Sequence, residues 1–380
     1  MFEWTRQLFT NKTPPSVVSE TLIAPSVSTA LSSPDIHWPA SSFEVKPELT
    51  IERDKQMVSS PVALKTVTNA SVYLTGGRHA VASSAGDLIS HHRVSASVLA
   101  DLPWQTGNRL SGRTLLLGNS AGAACYYHWM MDLLPKLGYL QKAGIDLNSI
   151  DHFLVREISS EFQRETLSLL GIDSSRITEC ANHPFHLCDE LLVLNLDHNI
   201  SFGMNPFVPR WVKQMTQTEQ TATGNHSERI KLYITRPEGV RRSIENEAEL
   251  IDLLKCEGFV VSAMENLSVR EQAALLGRTD LLIAAHGGAL TNMVFAKPGT
   301  QIIELFGSHV YPYYYGLANL CKHHYRALMQ GQKDIANLVQ LHTALKSGTA
   351  ENQRVSQNAG FSVDVNALTQ LLNTASDTAA

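Results

Sequence analysis

Two stretches of the chain alternate short apolar runs with amphipathic segments, a pattern typical of strands and helices that follow one another in an α/β fold. In the first stretch the pattern predicts strands at 114–118 (TLLLG), 152–155 (HFLV) and 190–195 (ELLVLN), and helices at 126–143, 161–170 and 208–216. In the second it predicts strands at 231–235, 259–262, 281–285 and 301–305, and helices at 246–256, from Ser268 and from near Ala289. Strands joined by helices of this length form parallel sheets covered on both faces. We therefore predict two α/β units in tandem with a cleft at their interface.

The other segments lack this regular pattern. Residues 1–45 are rich in Ser, Thr and Pro and predict an irregular lead-in, whereas residues 62–98 predict a small meander of strands. The polar run QTEQTATGNHSE (217–228) is the best candidate for a domain linker. The expected division is an N-terminal α/β domain over 46–216, a C-terminal Rossmann-like domain over 229–345, and a tail over 346–380 whose helix at 365–374 packs back across the domains.

Composition narrows the class of protein. A chain of 380 residues is long enough for two domains, and 43% hydrophobic with 18% charged residues is typical of a globular protein. The net charge of −5 is the wrong balance for a protein that binds the nucleic-acid backbone. An anionic ligand would therefore have to be held by a few placed arginines and helix N-termini.

The cysteines and the N-terminus favour a cytoplasmic protein. The five cysteines are odd in number and form no CxxC pair, which fits a reducing compartment. The N-terminal MFEWTRQLFTNKTPP lacks the continuous apolar stretch of a signal peptide or anchor. Residues 114–131 are uncharged, but they contain polar side chains and two glycines, so we interpret them as a buried strand and helix.

The sharpest local feature is DLLIAAHGGALTNMVF, in which an apolar strand ends at His286 and two glycines lead into a helix. Ligands of parallel sheets bind beyond the carboxyl ends of the strands, where a glycine turn lets the backbone approach a phosphate. The turn thus predicts a pyrophosphate site, although a tight turn needs glycine for structural reasons as well. It is not the GxGxxG of dinucleotide enzymes, which disfavours hydride transfer.

Charged residues also lie at the carboxyl ends of the first and the last of these four predicted strands. Glu304 ends the next strand, where a carboxylate can bind two ribose hydroxyls or lie in solvent. Arg236, Arg241 and Arg242 follow the first strand of this half, where arginine forks could bind phosphate or form a solvated loop. Asn246 is interpreted as a helix N-cap.

In the first half, YYHWMMDLLPKL places His128 and Asp132 four residues apart on one helix face. This pair predicts general-base chemistry, with a core histidine satisfied by its own aspartate as the alternative. Near the middle of the chain are four residues that could ligate a metal, but their spacing matches no zinc template. They are Cys180, His183, His186 and Cys188.

At these residues the sequence resembles glycosyltransferase family 61. The matching pieces, in the order of the family, are YYHWMMDLLPKL, FQRETLSLLGI, YITRPEGVRRSIENEAEL, LSVREQAALLGRTDLLIAAHGGALTNMVFAKPGT and IIELF. The resemblance covers about 115–306 and implies a GT-B fold, with two Rossmann-like domains facing each other across a cleft. It also implies inverting transfer from a nucleotide sugar without a required divalent metal or other cofactor. Because no secretion signal is recognised, the chain looks like a bacterial-type member of the family that builds capsular polysaccharide. Such an enzyme could associate peripherally with membrane-bound polysaccharide machinery.

With this resemblance the candidate residues acquire roles. The C-terminal domain would bind the nucleotide, most simply UDP, and the N-terminal domain the glycan acceptor. Asp132, or failing it His128, would deprotonate the acceptor. The nucleotide-sugar residues would be Arg236, Arg242, His286, Gly287, Gly288, Ala289, Leu290, Asn292 and, at the ribose, Glu304. Two alternatives stay open: an epimerase or hydrolase of the same architecture, and a scaffold protein that retains the fold.

Overall fold

The computed structural model describes residues 17–33, 35–37, 56–75, 78–84, 86–92, 94–104, 107–118, 124–196, 204–216, 228–236, 241–307, 310–329 and 360–377. The chain divides into two compact units, one made of Met1–Val27 with Ser59–Asn199 and the other of Ser28–Val58 with Ile200–Ala380. Parts of several segments named above lie outside the described residues, among them residues 119–123, the linker except Glu228, residues 237–240 between the first strand of the second half and Arg241, and the tail up to residue 359.

The elements are named in chain order. The strands are β1 (Val17–Ala24), β2 (Ser28–Ala30), β3 (Asp35–His37), β4 (Gln56–Val58), β5 (Val62–Thr75), β6 (Arg78–Ala82), β7 (Leu88–His92), β8 (Asn108–Gly118), β9 (His152–Val155), β10 (Ile177–Glu179), β11 (Phe185–Leu194), β12 (Ile230–Ile234), β13 (Phe259–Ser262), β14 (Thr279–Ala285), β15 (Gln301–Phe306) and β16 (His324–Met329). The α-helices are α1 (Ala96–Ala100), α2 (Tyr126–His128), α3 (Pro135–Lys142), α4 (Glu161–Leu169), α5 (Phe207–Met215), α6 (Glu247–Cys256), α7 (Val269–Gly277), α8 (Tyr313–Cys321) and α9 (Val365–Asp377). Shorter 3₁₀ segments lie at Leu147–Ser149, Ser174–Arg176 and Met264–Asn266.

The first unit contains a mixed sheet in the order β10-β9-β8-β11-β5-β6-β7, with β1 also paired to β5. Strands β10, β9, β8 and β11 are parallel, and the remaining pairs are antiparallel. This arrangement confirms the strands predicted at 114–118, 152–155 and 190–195 and the meander that follows Val62. Apolar residues of β5 and β11 contribute to the core of this unit, including Val67, Val72 and Leu191.

The prediction that residues 1–45 are irregular is wrong for the described part of that segment. Strand β1 pairs antiparallel with the first half of β5. Strand β3 joins the sheet of the other unit, where Ile36 lies opposite Ala327 of β16. Asp35 forms an ion pair with Arg326, with 3.2 Å between Asp35 Oδ2 and Arg326 Nε. Both strands depend on partners far away in the sequence, and such pairing leaves no local periodicity.

The long helix predicted over 126–143 is interrupted. A π-helical turn, Trp129–Leu133, joins α2 to α3, and the Leu134 N–H donates to the Trp129 carbonyl at 3.0 Å. Pro135 has no N–H to donate to the regular α-helical ladder, and the π turn lies directly before it. Such turns are frequent at functional sites.

The second unit contains a six-stranded parallel sheet in the order β13-β12-β14-β15-β16-β3. The chain runs from β12 to β13 on one side and continues from β14 on the other, so the direction of winding reverses between β12 and β14. Ligands of open α/β sheets bind at such a switch point, beyond the carboxyl ends of the strands. The predicted parallel sheet is confirmed, and the sequence pattern missed α8 and β16.

Two helices belong to the second unit by their packing. Helix α9 contributes Leu368, Leu371 and Leu372 to the core over this sheet, so the C-terminal helix packs against the second unit. Helix α5 lies with this unit as well, since the Lys213 ammonium donates to the Ala296 carbonyl at 2.6 Å. The observed division therefore assigns α5 and β3 differently from the boundary drawn on sequence. Among the described residues, no helix has the length and apolar character to cross a membrane.

The core position of α9 generates a stability prediction. Leu368 is fully buried, so Leu368→Ala should lower the free energy of unfolding by about 2 to 5 kcal/mol, through lost burial and a residual cavity. The control Val260→Ala removes a side chain that is 39% exposed and should change it by less than about 0.5 kcal/mol. Urea unfolding of both variants provides the measurement, and equal values would place α9 outside the core.

Candidate functional site

The switch point of the second unit brings two strand ends together. Arg236 follows β12, His286 follows β14, and the Arg236 Nη1 donates to the His286 carbonyl at 2.8 Å. The backbone N–H of Arg236 donates to Glu247 Oε1 at 3.0 Å, and the same oxygen accepts from the Tyr233 hydroxyl at 2.7 Å. The start of α6 and the end of β12 therefore fix the position of Arg236 before any ligand binds.

The glycine turn after His286 is shaped by Arg236. Gly287 has extended backbone that any residue can adopt (φ 171°), but a Cβ at this position would collide with the Arg236 guanidinium. The helix that follows, Gly288–Phe295, is of the 3₁₀ type, and the Leu290 N–H already donates to the Gly287 carbonyl at 3.0 Å. The N–H groups of Gly288 and Ala289, in its first turn, have no carbonyl within the helix to bond.

Positive charge is concentrated at this turn. Burial, together with the charge of Arg242, lowers the pKa of Arg236 to about 10. Two guanidinium groups that disfavour each other in this way form a site where an anion would be stabilised. Arg242 also has a left-handed backbone (φ 60°), which is uncommon outside glycine and marks a position held by its surroundings. Arg241, next to it, is exposed.

Behind the turn lies a buried hydrogen-bonded group, His286, Glu304 and Tyr325. The His286 Nδ1 and the Glu304 Oε1 form a hydrogen bond, and the Tyr325 hydroxyl donates to Glu304 Oε2 at 2.5 Å. Burial raises the pKa of Glu304 well above its usual range, against the opposing effects of Tyr325 and Arg242. Burial and the charges of Arg242 and Arg236 lower the pKa of His286 well below its usual value. Burial thus disfavours the charged form of both side chains, although they are joined by a hydrogen bond.

The His286 ring is held on its faces as well. It stacks on Phe306, with ring centroids 5.2 Å apart, and on Tyr313 at 6.3 Å, while Tyr314 meets it edge-on at 5.4 Å. Aromatic contacts of this kind add to the energy of burial. The imidazole is thus fixed at its edge and on both faces, and it is the backbone carbonyl of His286 that faces Arg236.

Three residues assigned to the nucleotide from the sequence are placed differently by the structure. Glu304 has no exposed surface and both of its carboxyl oxygens have partners, so the geometry does not favour a contact with ribose. The Leu290 N–H is used within the 3₁₀ helix, and the Leu290 and Asn292 side chains are fully buried. These residues support the turn from behind. Asn246 precedes α6 as expected. Its side-chain amide donates to the Val363 carbonyl and accepts from the Val363 N–H, and it does not cap the helix.

In the first unit the predicted pair is formed. The His128 Nδ1 and the Asp132 Oδ2 are 2.6 Å apart, and the two side chains are 26% and 14% exposed. The π turn between them is anchored by Trp129, whose indole N–H donates to the Thr166 hydroxyl at 2.8 Å. Both residues lie near the N-terminal end of the helix that follows β8. A partly exposed carboxylate bonded to an imidazole is an arrangement that can accept a proton from a hydroxyl.

The cysteine and histidine cluster has the surroundings of a core. Cys180 and Cys188 are buried, and burial raises the pKa of each thiol to about 12. The His186 Nε2 donates to the His183 carbonyl at 2.8 Å. Within the part of the chain that the structure describes, no three His, Cys, Asp or Glu side chains are grouped as a metal site requires.

Comparison with known proteins bears on the chemistry of these residues. Residues 126–303 match the family model of glycosyltransferase 61. The chain is also similar to the β-1,2-xylosyltransferase RCN11 of Oryza sativa subsp. japonica, with 24% identity over 205 residues. That alignment covers 54% of this chain and 36% of the rice protein, so the chain spans about a third of the length of this relative. Together the two similarities show that the central part of the chain resembles glycosyltransferases of family 61.

The glycosyltransferase 61 match includes the His128–Asp132 pair, Arg236, Arg242 and the Gly287 turn, and it ends one residue before Glu304. Sequence reasoning missed the supporting residues Glu247, Tyr313 and Tyr325. Glu247 carried a weak signal, as an acidic residue in the first turn of a predicted helix. Tyr325 lies on a strand that the pattern did not predict, so its contact with Glu304 had no signal.

Proposed function

We propose that the chain is a metal-independent, inverting glycosyltransferase that uses a UDP-sugar and builds a surface or capsular glycan in the cytoplasm. The observation that carries this proposal is the convergence of Arg236 and Arg242 on the glycine turn at the switch point of a parallel sheet. The family similarity supplies the reaction class. The name of the rice relative, a xylosyltransferase, is compatible with a pentosyl as well as a hexosyl donor.

In this proposal the diphosphate of the donor lies against Arg236 and Arg242, with the Gly288 and Ala289 N–H groups pointing at it. Negative charge builds on the diphosphate as the bond to the sugar breaks, and fixed cationic and N–H donors stabilise that charge in the transition state. The two arginines thereby supply the positive charge that a divalent metal would otherwise provide. The β-phosphate oxygen leaves with the bonding electron pair.

The acceptor reacts at the His128–Asp132 pair. An acceptor hydroxyl loses its proton to Asp132, or to His128, while its oxygen forms the new bond to the anomeric carbon from the face opposite the diphosphate. One bond forms as one breaks, so the anomeric configuration inverts. Because donor contacts and base belong to different units, binding and chemistry should separate by mutation.

The first test uses UDP as the probe. UDP should raise the melting temperature of the protein equally with and without EDTA, because a ligand that binds only the native state stabilises it by mass action. At a concentration about 100 times the dissociation constant, the stabilisation is about 2.7 kcal/mol. A shift that vanishes with EDTA and returns with Mn²⁺ would refute the metal-independent mechanism, and no shift under either condition would refute the nucleotide site.

The adjacent arginines provide a matched pair of variants. Arg242→Ala should weaken UDP binding by about ten- to a hundredfold, since a charge-assisted hydrogen bond contributes about 1.5 to 3 kcal/mol. Arg241→Ala removes the same charge from an exposed position and should change the affinity by less than about twofold. Isothermal titration calorimetry measures both, and equal affinities for both variants and the wild type would identify the segment as a solvated loop.

The catalytic role of Asp132 is tested by an isosteric change. Asp132→Asn should lower kcat by about 10² to 10⁴, because the amide cannot take the proton, and should leave UDP affinity within about twofold. Asp189→Asn, which removes a carboxylate from the surface ion pair with Arg109, is the control and should retain full activity. The assay is UDP release in the presence of acceptor glycan. If His128→Ala is more damaging than Asp132→Asn, the histidine is the base, and near wild-type rates for both would show that the pair is structural.

A further inference from the structure

The contacts around Glu304 point to a role that differs from direct ligand binding. Its carboxyl group is fully buried, and its two oxygens bond His286 and Tyr325. His286 in turn accepts a hydrogen bond from Arg236 through its carbonyl oxygen. Three hydrogen bonds therefore connect Tyr325 on β16, Glu304 on β15, His286 after β14 and the Arg236 guanidinium after β12. The second bond uses the ring of His286 and the third uses its backbone carbonyl.

We infer that Glu304 is a positioning residue for the donor nucleotide, acting through His286 on the orientation of Arg236. The inference rests on the proposed function, since it assigns Arg236 to the diphosphate. The hydrogen bond from Glu304 fixes the Nδ1 edge of the imidazole, while Phe306 and Tyr313 contact the ring by stacking. Removing the carboxyl group takes this bond away from Nδ1, and we expect the His286 peptide and Arg236 to be held less firmly.

The hydrogen-bond pattern identifies the conservative replacement. Glu304 Oε1 shares a hydrogen bond with the His286 Nδ1, and Oε2 accepts one from the Tyr325 hydroxyl. A glutamine reproduces this pattern, with its NH₂ group toward His286 and its oxygen toward Tyr325. Glu304→Gln should therefore preserve the function of this position, whereas a role that depends on a negative charge at ribose or at an arginine would be lost.

The test is a double-mutant cycle with UDP as the probe. Glu304→Ala should weaken UDP binding about tenfold, and Glu304→Gln should stay within about twofold of the wild type. In an Arg236→Ala background, adding Glu304→Ala should cost less than about twofold, since the group that Glu304 orients is gone. Additive losses, or a loss in Glu304→Gln equal to that in Glu304→Ala, would overturn the inference.

Two further variants separate this role from general stability. Thr300→Val removes the hydrogen bonds that the buried Thr300 hydroxyl donates to the Lys297 and Thr279 carbonyls. These bonds lie at the amino ends of β14 and β15, so the change should lower the melting temperature without changing UDP affinity.

Tyr325→Phe removes only the hydroxyl bond to Glu304, so this variant can be used if Glu304→Ala does not fold. Tyr325→Phe should weaken UDP binding about threefold, and it should cause no further loss in the Arg236→Ala background. Wild-type protein that binds no UDP would overturn the proposed function itself, whereas UDP affinity equal to wild type in Glu304→Ala or Tyr325→Phe would overturn only the positioning role.

Discussion

The hydrogen bond from the Arg236 guanidinium to the His286 carbonyl is the contact on which the candidate donor site depends. It joins the ends of β12 and β14, the two strands between which the winding of the parallel sheet reverses. The glycine at 287 follows from it, because a side chain there would occupy the space of the guanidinium. The arginine is in turn held by the hydrogen bond from its backbone N–H to Glu247, so the residue at the start of α6 contributes to the geometry of a turn about forty residues away in sequence.

The same constraint explains why several residues that resemble ligand contacts are buried. A turn can present N–H groups and a cation to an anion only if its own carbonyls and side chains are satisfied elsewhere. The Gly287 carbonyl is satisfied by Leu290, and the His286 ring by Glu304 and its aromatic neighbours. Residues close to a binding turn in sequence thus divide into those that face the ligand and those that hold the backbone.

Sequence patterns predicted the second unit well because its signals are local. Strands β12 to β15 are short apolar runs, and the Ser268–Glu271 capping box that starts α7 is present as expected. What failed depends on distant partners: β3 forms only because β16 offers a parallel edge, and the role of Glu304 depends on Tyr325 of the same strand. Periodicity did not predict the π turn before Pro135 either, because the apolar patterns of an α-helix and a π-helix cannot be told apart over a single turn.

Charge explains why the buried acid does not weaken the proposed anion site. An ionised Glu304 beside two arginines would cancel part of their positive charge and reduce their attraction for a diphosphate. Burial raises the pKa of this carboxyl group and so opposes its ionisation, while its hydrogen bond to His286 remains. Burial and the two arginines lower the pKa of His286, which disfavours a third positive charge beside two guanidinium groups. Burial therefore shifts both pKa values in the direction that leaves the electrostatic field at this turn to the arginines, while the hydrogen bond between the two side chains provides rigidity.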